Sequence, residues 1–201
     1  MRTLDIFSTP ISIVRSAIFP TDKELNIINS FNYEDKAHLN MFTKDYFVLN
    51  HLSNIKNQIE KYLKEYGEKV LGLKDKNQLY ITNSWCVKTS KGGYHPSHSH
   101  PNSLISGVLY IDIGEKQGIV FEGQPAIFEK FNFLFDKNDT NYNSNKFFIP
   151  VSKNDLILFP SSLNHSVEIN NTETTRLILG FNVFIKGIMG NTNYPTELNI
   201  L

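Results

Sequence analysis

Cysteine is nearly missing from this sequence: Cys86 is the only one among 201 residues. That excludes an intramolecular disulfide framework and any cysteine-rich zinc or iron–sulfur site, and it fits a reducing compartment. Charge of one sign is missing too, with 20 Lys and Arg against 20 Asp and Glu. A broad basic surface for nucleic acid or anionic lipid is therefore not expected. No apolar run reaches the length that crosses a bilayer. At the N-terminus, "MRTLDIFSTPISIVRSAIFP" places Asp5, Pro10 and Arg15 where a signal peptide needs an unbroken apolar stretch. There is no internal repeat, no GxGxxG fingerprint and no Walker-type loop, which removes the common nucleotide-binding folds. The expectation is one cytoplasmic domain with a small or specific partner, without membrane or nucleic-acid contact.

What is present divides into two periods. The stretch "TDKELNIINSF" opens with Thr21, a suitable N-cap for a helix. From Leu49 onward Leu52, Ile55, Ile59, Leu63 and Val70 recur at helical steps, and the pattern ends near Gly72. After Lys76 the period becomes two, in short runs broken by Gly, Pro, Asn and Asp: "LYITNSWCV", "SLISGVLYI", "GIVFE", "FFIPV", "DLILFP", "SVEI" and "TRLILGFNVFI". Helices followed by many short strands predict a mainly β sandwich or barrel with N-terminal helices packed on one outer face. The division expected is a strand and helical support region over 1–76, a β core over 77–188 and a C-terminal tail over 189–201. The polar, Asn-rich residues 135–146 read as a loop.

Three of the six histidines fall within "YHPSHSHP". His38 and His51 lie in the helical part and read as surface residues. His98 and His100, two apart, project to the same side of an extended segment, so their imidazoles can share one metal ion. His165, after the "DLILFP" strand, is a third ligand candidate from elsewhere in the fold, and three ligands on one face leave the opposite positions of the ion open. The plainer account of "HPSHSHP" is a solvated polar loop, because HxH alone is a weak pattern.

The strands downstream add to the functional account. In "SLISGVLYIDI" the odd positions Ile105, Leu109, Ile111 and Ile113 form an apolar face. The even ones, Ser106, Val108 and Tyr110, form a mixed face on the side of His98 and His100. The last long strand repeats this, with Leu177, Leu179, Phe181 and Val183 on one face and Arg176, Ile178, Gly180 and Asn182 on the other. A guanidinium inside a barrel needs an anion, from the protein or from a ligand; the alternative is an arginine reaching solvent at the strand end.

The combination of HxH, "SGVLYI", "DLILFPSSLNHSV" and "TRLILGFN" resembles the iron(II)- and 2-oxoglutarate-dependent oxygenase superfamily. Within it, the pattern is similar to the small prolyl-hydroxylase-like proteins of marine bacteria and tailed phages. The resemblance covers residues 83–184 and implies a double-stranded β-helix, a jelly-roll or cupin-like barrel. It implies Fe(II), 2-oxoglutarate as cosubstrate and O2, with oxidative decarboxylation to succinate coupled to hydroxylation of a prolyl, other protein or small-molecule target. It places metal ligands at His98 and His165. Arg176 then falls where the family binds the distal carboxylate of 2-oxoglutarate, with Tyr110, Ser106 and Asn182 as further cosubstrate-binding candidates. One departure is that the family has HxD or HxE where this chain has His98, Ser99, His100. His100 fits the spacing as second ligand, with His95, Asp112 and Glu122 as alternatives. Trp85 and Tyr94 are candidates for the substrate side, core packing being the plainer account of Trp85. Residues 90–97 and 135–146 are candidate mouth segments. A cupin-type three-histidine dioxygenase without 2-oxoglutarate is a rival, although Leu104 and Ile105 stand where a cupin glutamate belongs. A catalytically silent barrel serving as a binding or virion-associated module is another.

Overall fold

The computed structural model describes residues 1–2, 4, 6, 8–73, 77–123, 140, 142–190 and 195–200. In chain order the elements are β1 (Ser12–Val14), α1 (Asp22–Ser30), β2 (Tyr33–Ala37), β3 (Asn40–Thr43), α2 (Ser53–Lys69), β4 (Asn77–Thr89), β5 (His95–His98), β6 (Ile105–Asp112), β7 (Gly118–Glu122), β8 (Lys146–Pro150), β9 (Leu156–Pro160), β10 (Asn164–Val167), β11 (Arg176–Met189) and β12 (Leu198–Ile200). Among the described residues no helix is long and apolar enough to cross a membrane.

The strands form two antiparallel sheets. The larger has the order β1-β9-β6-β11-β4-β3-β2 with β12 added to β11, and the smaller has the order β5-β10-β7-β8. From β4 to β11 the chain passes back and forth between the sheets, so strands adjacent in sequence mostly lie on opposite walls. This winding is the double-stranded β-helix. Within β6 alternation sets two faces as the pattern predicts, but Ile113, expected on the apolar face, lies past the strand end and packs against the opposite cluster. Ile105, Leu109 and Ile111 join Ile28, Ile55, Ile59 and Leu63 of the helices in one buried cluster. Tyr110, with Val108 beside it, joins Ile119, Phe121, Ile149 and Phe159 in a second cluster between the sheets. Gly107 is required by close approach: it pairs with Phe181, and a Cβ there would lie 2.1 Å from the Phe181 ring.

The helices are locked to each other by one carboxylate. Thr21 and Glu24 form a capping box on α1. The N-cap position of α2 is Leu52, which has no side-chain acceptor to offer. Glu24 supplies it: Oε1 accepts from Ile55 N (2.9 Å), and Oε2 accepts from Asn54 Nδ2 (3.1 Å) and from Thr21 N (3.1 Å). Burial would raise the Glu24 pKa, but these donors outweigh it and hold the carboxyl below its usual range.

The support region supplies its expected strand as β1, and it also adds β2 and β3 to the larger sheet; residues 198–200, in the expected tail, pair with β11 as β12. The β2–β3 hairpin turns at His38 and Leu39, both at positive φ (54° and 60°). That is the geometry in which Asn-Gly or a similar pair normally announces a tight hairpin. Of residues 135–146, the part up to 139 and residue 141 lie outside the described residues, and the remainder turns into β8.

Glu24→Ala should strip acceptors from buried donors of both helices and cost about 1–3 kcal/mol. The expected readout is a lower urea midpoint with an unchanged m-value.

Candidate functional site

β5 and β10 pair so that His98 stands opposite His165. His100 follows just past β5, its backbone N–H donating to Ser161 O (2.9 Å). The three side chains each offer a nitrogen, and these lie within 4.8 Å of one another. His98 Nε2 and His100 Nε2 are 3.3 Å apart.

Each ring is turned by a hydrogen bond on its far side. His98 Nδ1 contacts Pro96 O (2.9 Å), His165 Nδ1 contacts Leu163 O (3.2 Å), and His100 Nδ1 contacts Asn182 Oδ1 (2.6 Å). A carbonyl oxygen only accepts, so all three Nδ1 atoms are donors and the Nε2 lone pairs are left to converge. Burial, then the neighbouring His98, pushes the His165 pKa down to about 3. Burial lowers His100 as well, against the pull of its bond to Asn182. Neutral imidazole is the form that binds metal.

Ser106 and Asn182 lie behind this cluster and do not line the cavity. Ser106 Oγ donates to the same Asn182 oxygen that holds His100 (3.0 Å), and Ser161 Oγ stands 2.8 Å from Ser106 Oγ. Both therefore stand behind the His100 ring, Asn182 directly and Ser106 through Asn182. The carboxylates weighed as alternatives point elsewhere. Glu122 accepts from Ser97 Oγ (2.7 Å) and Ser166 Oγ (3.2 Å), while Asp112 is 3.7 Å from Lys153 Nζ. Among the described residues neither belongs to the cluster.

A cavity leads inward from the histidines and is lined by His95, Tyr110, Val167, Arg176 and Ile178, with Trp85 at its side. Arg176 is 3% exposed, so it does not reach solvent. Nη1 donates to Gln117 Oε1 (2.9 Å) and Glu168 O (3.4 Å), and no described carboxylate pairs with it. Gln117 is held in that orientation because its Nε2 donates to Asn170 Oδ1 (2.6 Å). Desolvation lowers the Arg176 pKa, with Tyr110 acting the other way. The Tyr110 phenol is raised by burial and pulled down by Arg176.

Sequence reasoning missed two features and left a third between two accounts. "HPSH" is strand β5 rather than loop, and its polar composition hid this. Gln117 carries no motif. Trp85 does not pack away into the core: it lies against Gly180, where a Cβ would be 2.9 Å from the indole, and its ring is 5.7 Å from that of His100. The glycine opposite an aromatic in β11 was the available signal.

A family model described as "Putative 2OG-Fe(II) oxygenase" matches residues 83–182. No curated protein matches significantly in sequence. Solved structures with the same fold include an oxidoreductase of the 2OG-Fe(II) oxygenase family from Burkholderia pseudomallei. It has a TM-score of 0.61 and 12% identity, with 86% of this chain and 83% of that one covered. HygX from Streptomyces hygroscopicus, with nickel, 2-oxoglutarate and hygromycin B bound, gives 0.54 and 14%, covering 87% and 82%. A Trichoplax adhaerens prolyl hydroxylase, in complex with a peptide fragment of the hypoxia inducible factor oxygen degradation domain, gives 0.57 and 11%, covering 87% and 83%.

His95, like His165, has its pKa lowered by burial, to about 4. In the unfolded chain both protonate near pH 6.5. The metal-free protein should hold its stability above that pH and lose it as pH falls from about 6.5 toward 4, by up to about 1.4 kcal/mol per pH unit for each such histidine. Thermal melts across this range should show a shallower slope in His165→Leu.

Proposed function

Because this chain belongs to the 2OG-Fe(II) oxygenases, we propose that it couples the oxidative decarboxylation of 2-oxoglutarate to the hydroxylation of an organic substrate at the mouth of the barrel. The balance is 2-oxoglutarate, O2 and a substrate C–H giving succinate, CO2 and C–OH. The observation that carries this reading is Arg176: a buried guanidinium with a neutral amide for partner, at the inner end of a cavity that three convergent imidazoles open.

The residues present fit the metal and cosubstrate. His98, His100 and His165 would hold Fe(II) through Nε2, and their far-side bonds fix the tautomers that this requires. Bound iron supplies the dioxygen chemistry. Arg176 has N–H groups left after Gln117 and Glu168 are served, enough to grip the distal carboxylate of 2-oxoglutarate in a paired contact. Tyr110, at the same level, offers its O–H to that carboxylate. Asn182 and Ser106 orient His100 rather than touch cosubstrate. Trp85 borders the metal end and keeps water from one side of it.

The cupin-type reading leaves Arg176 without purpose, and a silent barrel would have no need of three ordered tautomers. The substrate is a prolyl or other peptide residue or a small molecule, presented beside Trp85; fold neighbours carry a peptide in one case and hygromycin B in another.

Anaerobic Fe(II) loading followed by 2-oxoglutarate titration should give the visible charge-transfer band of the chelate, and air should then yield succinate. An iron-replete sample that shows neither sinks the proposal. Arg176→Ala should weaken 2-oxoglutarate binding by about 100-fold, since charge-assisted hydrogen bonds contribute about 1.5–3 kcal/mol each. His100→Ala should lose stoichiometric Fe(II), whereas His95→Ala should retain it.

A further inference from the structure

We propose that His95 is a second donor to the distal carboxylate of the cosubstrate, facing Arg176 across the cavity and selecting a dicarboxylic 2-oxo acid over a monocarboxylic one. This rests on the 2-oxoglutarate reading above and assigns a residue to it.

Register places His95. On the paired strands β5 and β10, the His98–His165 pair is followed inward by the His95–Val167 pair, with an irregularity between them. Glu168, the residue after Val167, provides the carbonyl that Arg176 Nη1 contacts. The order along this wall is therefore histidine cluster, His95, Arg176. A five-carbon diacid spanning from metal to guanidinium passes His95 on its way.

His95 is also unpartnered. Its Nδ1 is buried with no hydrogen-bond partner, while the ring packs against His98 (4.5 Å between centroids) and Phe42 (5.8 Å). A buried polar nitrogen left unpaired costs on the order of what a hydrogen bond contributes, and an imidazole nitrogen can take the donor tautomer when a carboxylate faces it, so such a group marks a place where a ligand completes the bonding.

Other polar groups at this level are already used. Thr89 Oγ1 donates to Asn40 Oδ1 (2.7 Å), and Asn40 Nδ2 donates to Tyr94 O (2.8 Å). Ile119, Val167 and Ile178 are apolar. Arg176, Tyr110 and His95 remain, and a carboxylate accepts about four hydrogen bonds. His95 is not part of the metal-binding cluster, so its role is separable from metal retention.

The test uses the full chain loaded with Ni(II), which permits binding to be read without turnover. Calorimetry follows 2-oxoglutarate and, separately, 2-oxobutanoate, which has the same chelating end and no distal carboxylate. His95→Phe, which keeps a ring against Phe42, should bind one Ni(II), weaken 2-oxoglutarate about tenfold and leave 2-oxobutanoate within twofold. His95→Leu should give the same result where the larger ring distorts the strand. His95→Gln, which keeps an N–H donor, should recover most of the 2-oxoglutarate affinity. The proposal is overturned if His95→Phe and His95→Leu bind 2-oxoglutarate as the unsubstituted protein does, if both acids weaken equally, or if Ni(II) is lost. If the unsubstituted protein itself binds no 2-oxoglutarate, the parent reading fails; if it binds and the variants do not discriminate, this inference alone fails.

Discussion

β11 lies between β4 and β6 in the larger sheet, and its period-two alternation sets most of the site. Leu177, Leu179, Phe181 and Val183 bury one face under the helices. The opposite face therefore carries Arg176 at the inner end of the cavity, Ile178 on its wall, Gly180 beneath Trp85, and Asn182 behind His100. A slip of one residue would exchange the two faces, burying a guanidinium under the helices and exposing four apolar side chains to the cavity. Hydrophobic burial on one side of the strand is thus what holds the chemistry on the other, and Phe181 seated over Gly107 fixes the register sterically.

Charge is the second constraint. If His98, His100 and His165 hold a divalent ion, three neutral imidazoles would leave it its full charge, where a carboxylate ligand would remove one unit. Arg176 adds another positive charge, met among the described residues by the Gln117 amide and the Glu168 carbonyl. In a low-dielectric cavity such an arrangement favours a doubly charged anion over a singly charged one. On the proposed reading, histidine rather than a carboxylate at residue 100 and the lack of a carboxylate beside Arg176 among the described residues go together, since both would leave charge for the diacid to balance.

Much of this was legible in the sequence. The strands after residue 76 and the faces of β6 and β11 could be read because alternation is a strong signal when one face is purely apolar. His98, His100, His165 and Arg176 could be gathered because spacing and strand face both pointed inward. What could not be read depended on contacts without local pattern. β5 is polar and short, so His95 passed for a loop residue. The β2–β3 turn places ordinary side chains at positive φ and so lacks the usual glycine or asparagine. Ser106 and Asn182 were on the correct faces, but only the three-dimensional packing turns them toward a histidine ring instead of the cavity. Gln117 has meaning only through Arg176, 59 residues later.

The carboxylate of Glu24 that closes the start of α2 from α1 has a consequence for how the protein opens. A helix capped by its own N-cap residue can fray by itself, but here the first turn of α2 cannot loosen without releasing the first turn of α1. The two helices are therefore expected to open together rather than one at a time. Amides at the two helix starts should then exchange with solvent together, and the sheet that bears Arg176 is shielded from piecemeal fluctuation on its helical side.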